Sequence, residues 1–241
     1  MGRRRKIMTY GIGGFLILTA ILYFFPYVWM LSMSLKPDGE IYSTALFPAQ
    51  PTLEQYQRLF FGYEFRGQML EVNFLAYYKN TIIVTVISLV LVIFTDALAA
   101  YGFAKFNFRG KTVLFWTMIA TMMLPVYATL IPSFWLFSKL KLINTYQALI
   151  IPGVVDAYGI FLLKQYMETI PSEILDAAKV DGAGAFRRFW QIVLPLSRPA
   201  IGTLVVFRFI GVWNDYLWPL VILRKPDMYT LSIGIANMQL R

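Results

Sequence analysis

Five stretches of this chain are each long and apolar enough to cross a lipid bilayer, and that limits its fold more than any other feature. A spanning helix needs roughly 20 mostly apolar residues, and the run from about Met8 to Leu31 meets this with no charged residue inside it. Further candidates run from about Asn80 to Ala104, Val113 to Phe137, Tyr146 to Leu163 and Ala200 to Leu223, each bounded by charged or Pro/Gly-containing connections. The predicted fold is all-α: a polytopic bundle of transmembrane helices with five spans visible. Arg3, Arg4, Arg5 and Lys6 precede the first run as they would a signal peptide, but the run is longer than a leader's apolar core and lacks a small-residue cleavage site.

With 58% hydrophobic and 15% charged residues, the chain is too apolar for an ordinary water-soluble surface. The net charge of +9 raises the alternative of nucleic-acid binding. The basic residues nevertheless sit in short clusters between apolar runs, as topology signals do, and the reading is membrane lipid and no nucleic acid. With no Cys and no His, disulfides, thiolate and imidazole chemistry and the commonest zinc sites are excluded. With the N-terminus inside, the cytoplasmic segments would hold Arg3 to Lys6, Lys105, Arg109, Lys111, Lys164, Lys179, Arg187, Arg188 and Arg198, more basic residues than the longer outer segments carry. Residues 32–79 then form an extracytoplasmic loop containing Pro37, Pro48 and Pro51, with a short helix predicted from Thr52 and a capping box between Thr52 and Gln55.

Between the fourth and fifth runs, residues 164–199 make a cytoplasmic loop too polar to span and too apolar to be a passive linker. Pro171 and Ser172 predict the start of a helix presenting Ile174, Ala177, Ala178 and Val180 to a partner or to the bundle. Gly182 permits a reversal into a second helix through Phe186, Phe189, Trp190 and Val193. The alternative is an amphipathic loop on the lipid surface, anchored by Arg187, Arg188 and Trp190.

The loop resembles that of permeases of binding-protein-dependent importers, whose pattern is EAA, three residues, Gly, nine residues, Ile, any residue, Leu-Pro. Asp176, Ala177, Ala178, Gly182, Ile192, Leu194 and Pro195 occupy every fixed position, with Asp176 standing where the pattern has Glu. The strings FPYVWMLSMSLKP, AAYGFAKFNFRGK, LKLINTYQALIIP, GIFLLKQY and FIGVWNDYLWPL, in that order, extend the resemblance to sugar importers of the maltose and glycerol-phosphate type. The resemblance implies one permease domain over 1–241 in the inner membrane, multi-pass, and an ATPase-coupling helix carrying Asp176, Ala177, Ala178 and Gly182. It also implies partners: a second permease subunit, two copies of an ATP-binding subunit and an extracytoplasmic solute-binding protein. ATP and Mg would be bound by the ATPase partner, this chain holding no cofactor, catalysing no covalent reaction and forming half of a carbohydrate path. The family has six spans with both ends in the cytoplasm, whereas here five are visible before the outer segment ending at Arg241.

Ionisable residues within spans by default face the bundle interior or a water-filled path, which singles out Asp96, Asp156, Arg208 and Asp215. Asp96 and Asp156 also read as helix-packing residues, and Arg208 as the partner of an acid on a neighbouring helix. Trp213, Asn214, Asp215, Tyr216 and Trp218 combine aromatic faces with hydrogen-bonding groups suited to a sugar ring, although Trp and Tyr equally mark a membrane interface. Pro125, Pro132, Pro152 and Pro219 predict broken helices. Gly110-Lys111-Thr112 imitates a phosphate-binding loop, but Lys105 stands where its first Gly belongs. Two rivals stay open: a secondary transporter or channel without ATP, using acids such as Asp96 and Asp215, and a membrane-embedded enzyme.

Overall fold

The computed structural model describes residues 2–65, 68–70 and 73–239, in two compact units, Met1–Val72 and Asn73–Arg241. Leu240 and Arg241, the end of the predicted last outer segment, lie outside the described residues.

In the first unit, α1 (Gly2–Ser34) carries the first predicted span, running past its expected end with Pro26 inside it. Lys36 then turns inward and is fully buried, its Nζ donating to the Ser43 carbonyl and hydroxyl at 3.0 Å each and to the Ala45 carbonyl at 2.8 Å. This folds the segment after the span back on itself, since a buried ammonium holds only where oxygens surround it. Lys36→Met should leave those three acceptors unpaired, at a cost of about 2–4 kcal/mol. Hydrogen exchange across residues 32–46 should speed up markedly, and unchanged exchange would show that Lys36 is not what holds this turn.

Helix α2 (Glu54–Phe61) begins two residues later than predicted, and the expected capping box does not form. Thr52 Oγ1 instead accepts from the nearby Glu54 N–H at 3.2 Å, while Gln55 Nε2 donates to Asp38 Oδ1 at 2.7 Å. Asp38 thereby competes successfully for Gln55. It also binds Arg58 at 2.7 Å, and these two partners hold its carboxyl below the usual carboxylate range. Strands β1 (Tyr63–Phe65) and β2 (Gln68–Leu70) pair antiparallel with Tyr63 opposite Leu70, a small hairpin in an otherwise helical chain.

The second unit is built on α3 (Phe74–Lys105), which packs chiefly along α7 and next along α11. Helices α4 (Lys111–Thr121) and α5 (Val126–Lys139) were predicted as one span and are instead bent by 98°. Pro125 is the cause: it lacks an N–H and forces Leu124 away from helical geometry. Gly110, at φ +86, makes the turn into α4, so Gly-Lys-Thr here serves as a helix start. Helix α6 (Tyr146–Ile150) passes through a 3₁₀ turn at Ile151–Gly153 and a 41° bend into α7 (Ala157–Glu168).

The loop forms α8 (Ser172–Val180), α9 (Ala185–Arg188), a π-helical turn at Phe189–Val193 and α10 (Leu194–Leu196). A 75° turn leads into α11 (Arg198–Trp213). The expected fifth span is broken after Trp213 and resumes as α12 (Leu217–Ile222); α13 (Leu231–Gln239) follows. Among the described residues two helices alone are long and apolar enough to span, and up to five spans result if each bent pair is one.

The core at the Lys105 end joins Ala97, Ala100, Leu163, Met167, Phe189 and Leu204. Alanine faces allow α3 to approach its neighbours closely, which is how helices associate in lipid. At the opposite end, Asn80 Nδ2 donates to the Asp227 and Tyr229 carbonyls at 2.7 and 3.0 Å and its Oδ1 accepts from the Tyr146 hydroxyl at 2.6 Å.

Candidate functional site

Two regions of the second unit carry polar or exposed groups that packing alone does not call for. The first is the loop. Leu175 is buried, as are Phe189 and Val193, and these three seat the loop on the bundle core. Tyr101 supports it with its ring 5.4 Å from that of Phe189 and its hydroxyl donating to the Ala185 carbonyl at 3.2 Å. Lys105 Nζ donates to the Ile170 carbonyl at 2.6 Å. The π-helical turn precedes Pro195, which has no N–H for the carbonyl four residues back and whose ring pushes that carbonyl away.

Helix α8 ends in a Schellman motif: Ala183 N–H donates to the Ala178 carbonyl at 2.8 Å and Gly182 N–H to the Lys179 carbonyl at 3.1 Å, with Gly182 at φ +80. A Cβ at Gly182 would meet nothing within 4 Å, so glycine is required there by backbone conformation and not by space. Of the seven motif residues, Asp176, Ala177 and Gly182 are exposed and Ala178 is half-buried. Ile192 and Leu194 pack against the core, and Pro195 is half-buried beside them. The motif thus contains an exposed knob and its foundation. Around the knob Ile174, Val180, Phe186 and Trp190 are all solvent-accessible, Val180 at 88%. Apolar groups left uncovered on so polar a loop mark a contact surface.

The second region lies between α3, the bend before α7, and α11. Asp96 is fully buried and its Oδ1 accepts from Asp156 N–H at 3.0 Å. Thr95 Oγ1 donates to the Val154 carbonyl at 2.5 Å, and Arg208 Nη2 donates to the Gly153 carbonyl at 2.7 Å. Three side chains from two helices therefore hold the broken backbone at residues 153–156, whose freed polar groups need partners inside a membrane. Asp156 itself caps α7 through its side chain. The expectation that Arg208 pairs with an acid is corrected: no carboxylate lies within ion-pair distance of it among the described residues. The carbonyl exposed by the helix break is nearer and takes that place.

Arg208 also borders a cavity of about 500 Å³ between α3, α5, α11 and α12. Asp215 and Trp218 line it, together with Thr129 and Ser133. The carboxylate of Asp215 faces the N–H groups of Trp218 and Leu217 at the start of α12. Trp218 is fixed by its Nε1, which donates to the Ala148 carbonyl at 2.8 Å. The predicted cluster is therefore divided. Trp213 stacks on Phe209 and meets Tyr78 edge-on, and Asn214 donates to the Ile210 carbonyl at 2.9 Å; neither lines the cavity. Thr129 and Ser133 went unmarked because the sequence shows them as isolated hydroxyls in an apolar run.

Residues 97–241 match the family "binding-protein-dependent transport system inner membrane component". The arabinooligosaccharides transport system permease protein AraQ of Bacillus subtilis (strain 168) is 31% identical over 228 residues, covering 93% of this chain and 78% of that protein. The diacetylchitobiose uptake system permease protein NgcG of Streptomyces coelicolor is 32% identical over 92% of this chain and 71% of that protein. The sn-glycerol-3-phosphate transport system permease protein UgpE of Yersinia pestis is 41% identical over 58% of this chain and 50% of that protein. Among solved structures, a chain of a bacterial ABC transporter involved in the import of the acidic polysaccharide alginate superposes with a TM-score of 0.84 at 25% identity, covering 98% of this chain and 81% of that one.

Proposed function

The chain belongs to the binding-protein-dependent transport system inner membrane components, and from that footing we propose that it forms half of the membrane path of an ATP-driven carbohydrate importer. It is a transport subunit of the inner membrane. The relatives named for arabino-oligosaccharides and diacetylchitobiose support carbohydrate as the solute class. Membership of a binding-protein-dependent transport family supports this reading over the secondary-transporter and membrane-enzyme alternatives.

The observation that carries the reading is the exposed knob on a rigid base: Asp176 and Ala177 accessible, the Gly182 turn closing α8, and Leu175, Phe189 and Val193 anchoring it. An ATP-binding subunit seated on this knob would move it as a unit, and α11, joined to its base through a 75° turn, would carry the motion into the membrane. In this reading two ATP-binding subunits hold ATP and Mg, a second permease completes the path, and a solute-binding protein delivers the sugar from outside. The N-terminus is cytoplasmic, as the basic residues favour on the loop side of the membrane. Residues 32–79 are the extracytoplasmic loop, 164–199 the cytoplasmic coupling loop, and the path passes Asp215 and Trp218.

The test is purification of the tagged chain in mild detergent from its own host. An ATP-binding chain and a second permease are expected with it; a chain recovered alone that still drives uptake overturns the proposal.

A further inference from the structure

We propose that the cavity bordered by Arg208 and Asp215 is a subsite of this chain for neutral, polyhydroxylated ligands, which the two side chains grip from opposite signs of charge. The inference rests on the importer reading and adds a ligand class and residues to it. The cavity's volume of about 500 Å³ falls within the range of small-molecule sites, roughly 300–1,000 Å³. Polar contributors converge from three helices and a helix break: Thr81 and Ser88 from α3, Thr129 and Ser133 from α5, Arg208 from α11, and Asp215 from the break before α12.

Neither Arg208 nor Asp215 is in an ion pair among the described residues, although both lie on membrane-spanning elements where an unpaired charge is costly. Both instead line one cavity. Arg208 is held at the cavity by its Nη2 bond to the Gly153 carbonyl, a close approach that the missing Cβ of Gly153 permits, since a Cβ there would stand 2.1 Å from that nitrogen. A guanidinium and a carboxyl lining the same cavity offset each other's charge, so an anionic or cationic solute gains at one group and loses at the other. A ligand bearing several hydroxyls satisfies both, donating to the carboxyl and accepting from the guanidinium. Trp218, with its N–H occupied by Ala148, has an apolar ring as its remaining offering to the cavity, as the C–H face of a sugar ring requires.

The experiment uses the complex co-purified with its native partners and placed in nanodiscs without solute-binding protein. The probes are arabinotriose, maltotriose and galactotriose, with sn-glycerol-3-phosphate as the anionic comparison. At least one trisaccharide should saturate the wild-type complex. Its half-saturating concentration should rise about tenfold in Asp215→Asn and about threefold in Ser133→Ala, as expected for loss of a charge-assisted and a neutral hydrogen bond. Ser133→Ala is the milder change and carries the test if Asp215→Asn fails to assemble. Saturation by none of the trisaccharides, equal or tighter binding of sn-glycerol-3-phosphate, or half-saturation unmoved in the variants that assemble overturns the subsite. The ATPase content of each preparation is read separately: with the partner present and these results negative, the importer reading stands and the subsite falls; with the partner absent from wild type, both fall.

Discussion

Asp176→Lys is expected to leave the chain folded in the membrane while stripping the ATP-binding subunit from it and abolishing energised uptake. Asp176 is exposed on α8, where substitutions ordinarily change stability by less than about 0.5 kcal/mol. Buried in an interface against a partner's cation, the same carboxylate would be worth far more: truncating such a charge costs about 2–5 kcal/mol, and reversing it adds repulsion, so association should weaken by at least about a hundredfold. Gly182 separates docking from charge. Gly182→Val places a β-branched residue at φ +80, where left-handed backbone costs about 1–2 kcal/mol, at a site where the added Cβ meets no neighbour within 4 Å. Gly182→Asn, which tolerates that conformation, should retain most coupling. ATPase co-purification and the ratio of ATP hydrolysed to solute moved check all three. Full association and uptake in Asp176→Lys would remove the loop from the coupling role.

The knob was legible because its requirements are local. Gly182 is marked by the positive φ it must adopt, and the three small or acidic residues before it by the close approach they permit. Its foundation was less so. Leu175 lies one residue before Asp176 and reads as one more apolar residue on an amphipathic helix, yet it is the α8 side chain that enters the core. Ile192, Leu194 and Pro195 share a motif with Asp176, and spacing alone could not divide them into anchors and contacts.

Hydropathy likewise found where apolar chain lies but not how it bends. The prolines announced that the third and fifth spans break; the 98° angle between α4 and α5 depends on what those helices pack against. Polar residues inside the spans were visible one at a time, but their partners were not. Asp96 and Asp156 are sixty positions apart and meet only because α3 lies along α7. The acceptor for Arg208, a carbonyl released by a helix break, has no side-chain signature at all.

The contact of α3 with α7 yields the second large effect. Gly159 of α7 sits against Asp96 of α3, and a Cβ there would stand 2.1 Å from Asp96 Oδ2 and 3.0 Å from Leu204 Cδ1. Neither neighbour has open space to retreat into, since Asp96 is 0% and Leu204 1% exposed. Gly159→Ala should therefore force α7 off α3 and destabilise the chain by about 1–3 kcal/mol, the cost of overpacking a closed core. Asp96→Ala acts through a different mechanism, leaving the Asp156 N–H without its acceptor at a cost of about 1–3 kcal/mol. It also removes the oxygen that Gly159→Ala strikes. The two changes should consequently compensate in part: the double variant should be more stable than the sum of the singles predicts, by about 0.5–3 kcal/mol, as expected of residues in direct contact. Reversible unfolding in mixed micelles measures all three. Strict additivity would mean that Asp96 and Gly159 do not meet, and with that contact would go the clamp that holds the bend at residues 153–156 and, through Gly153, the side chain of Arg208.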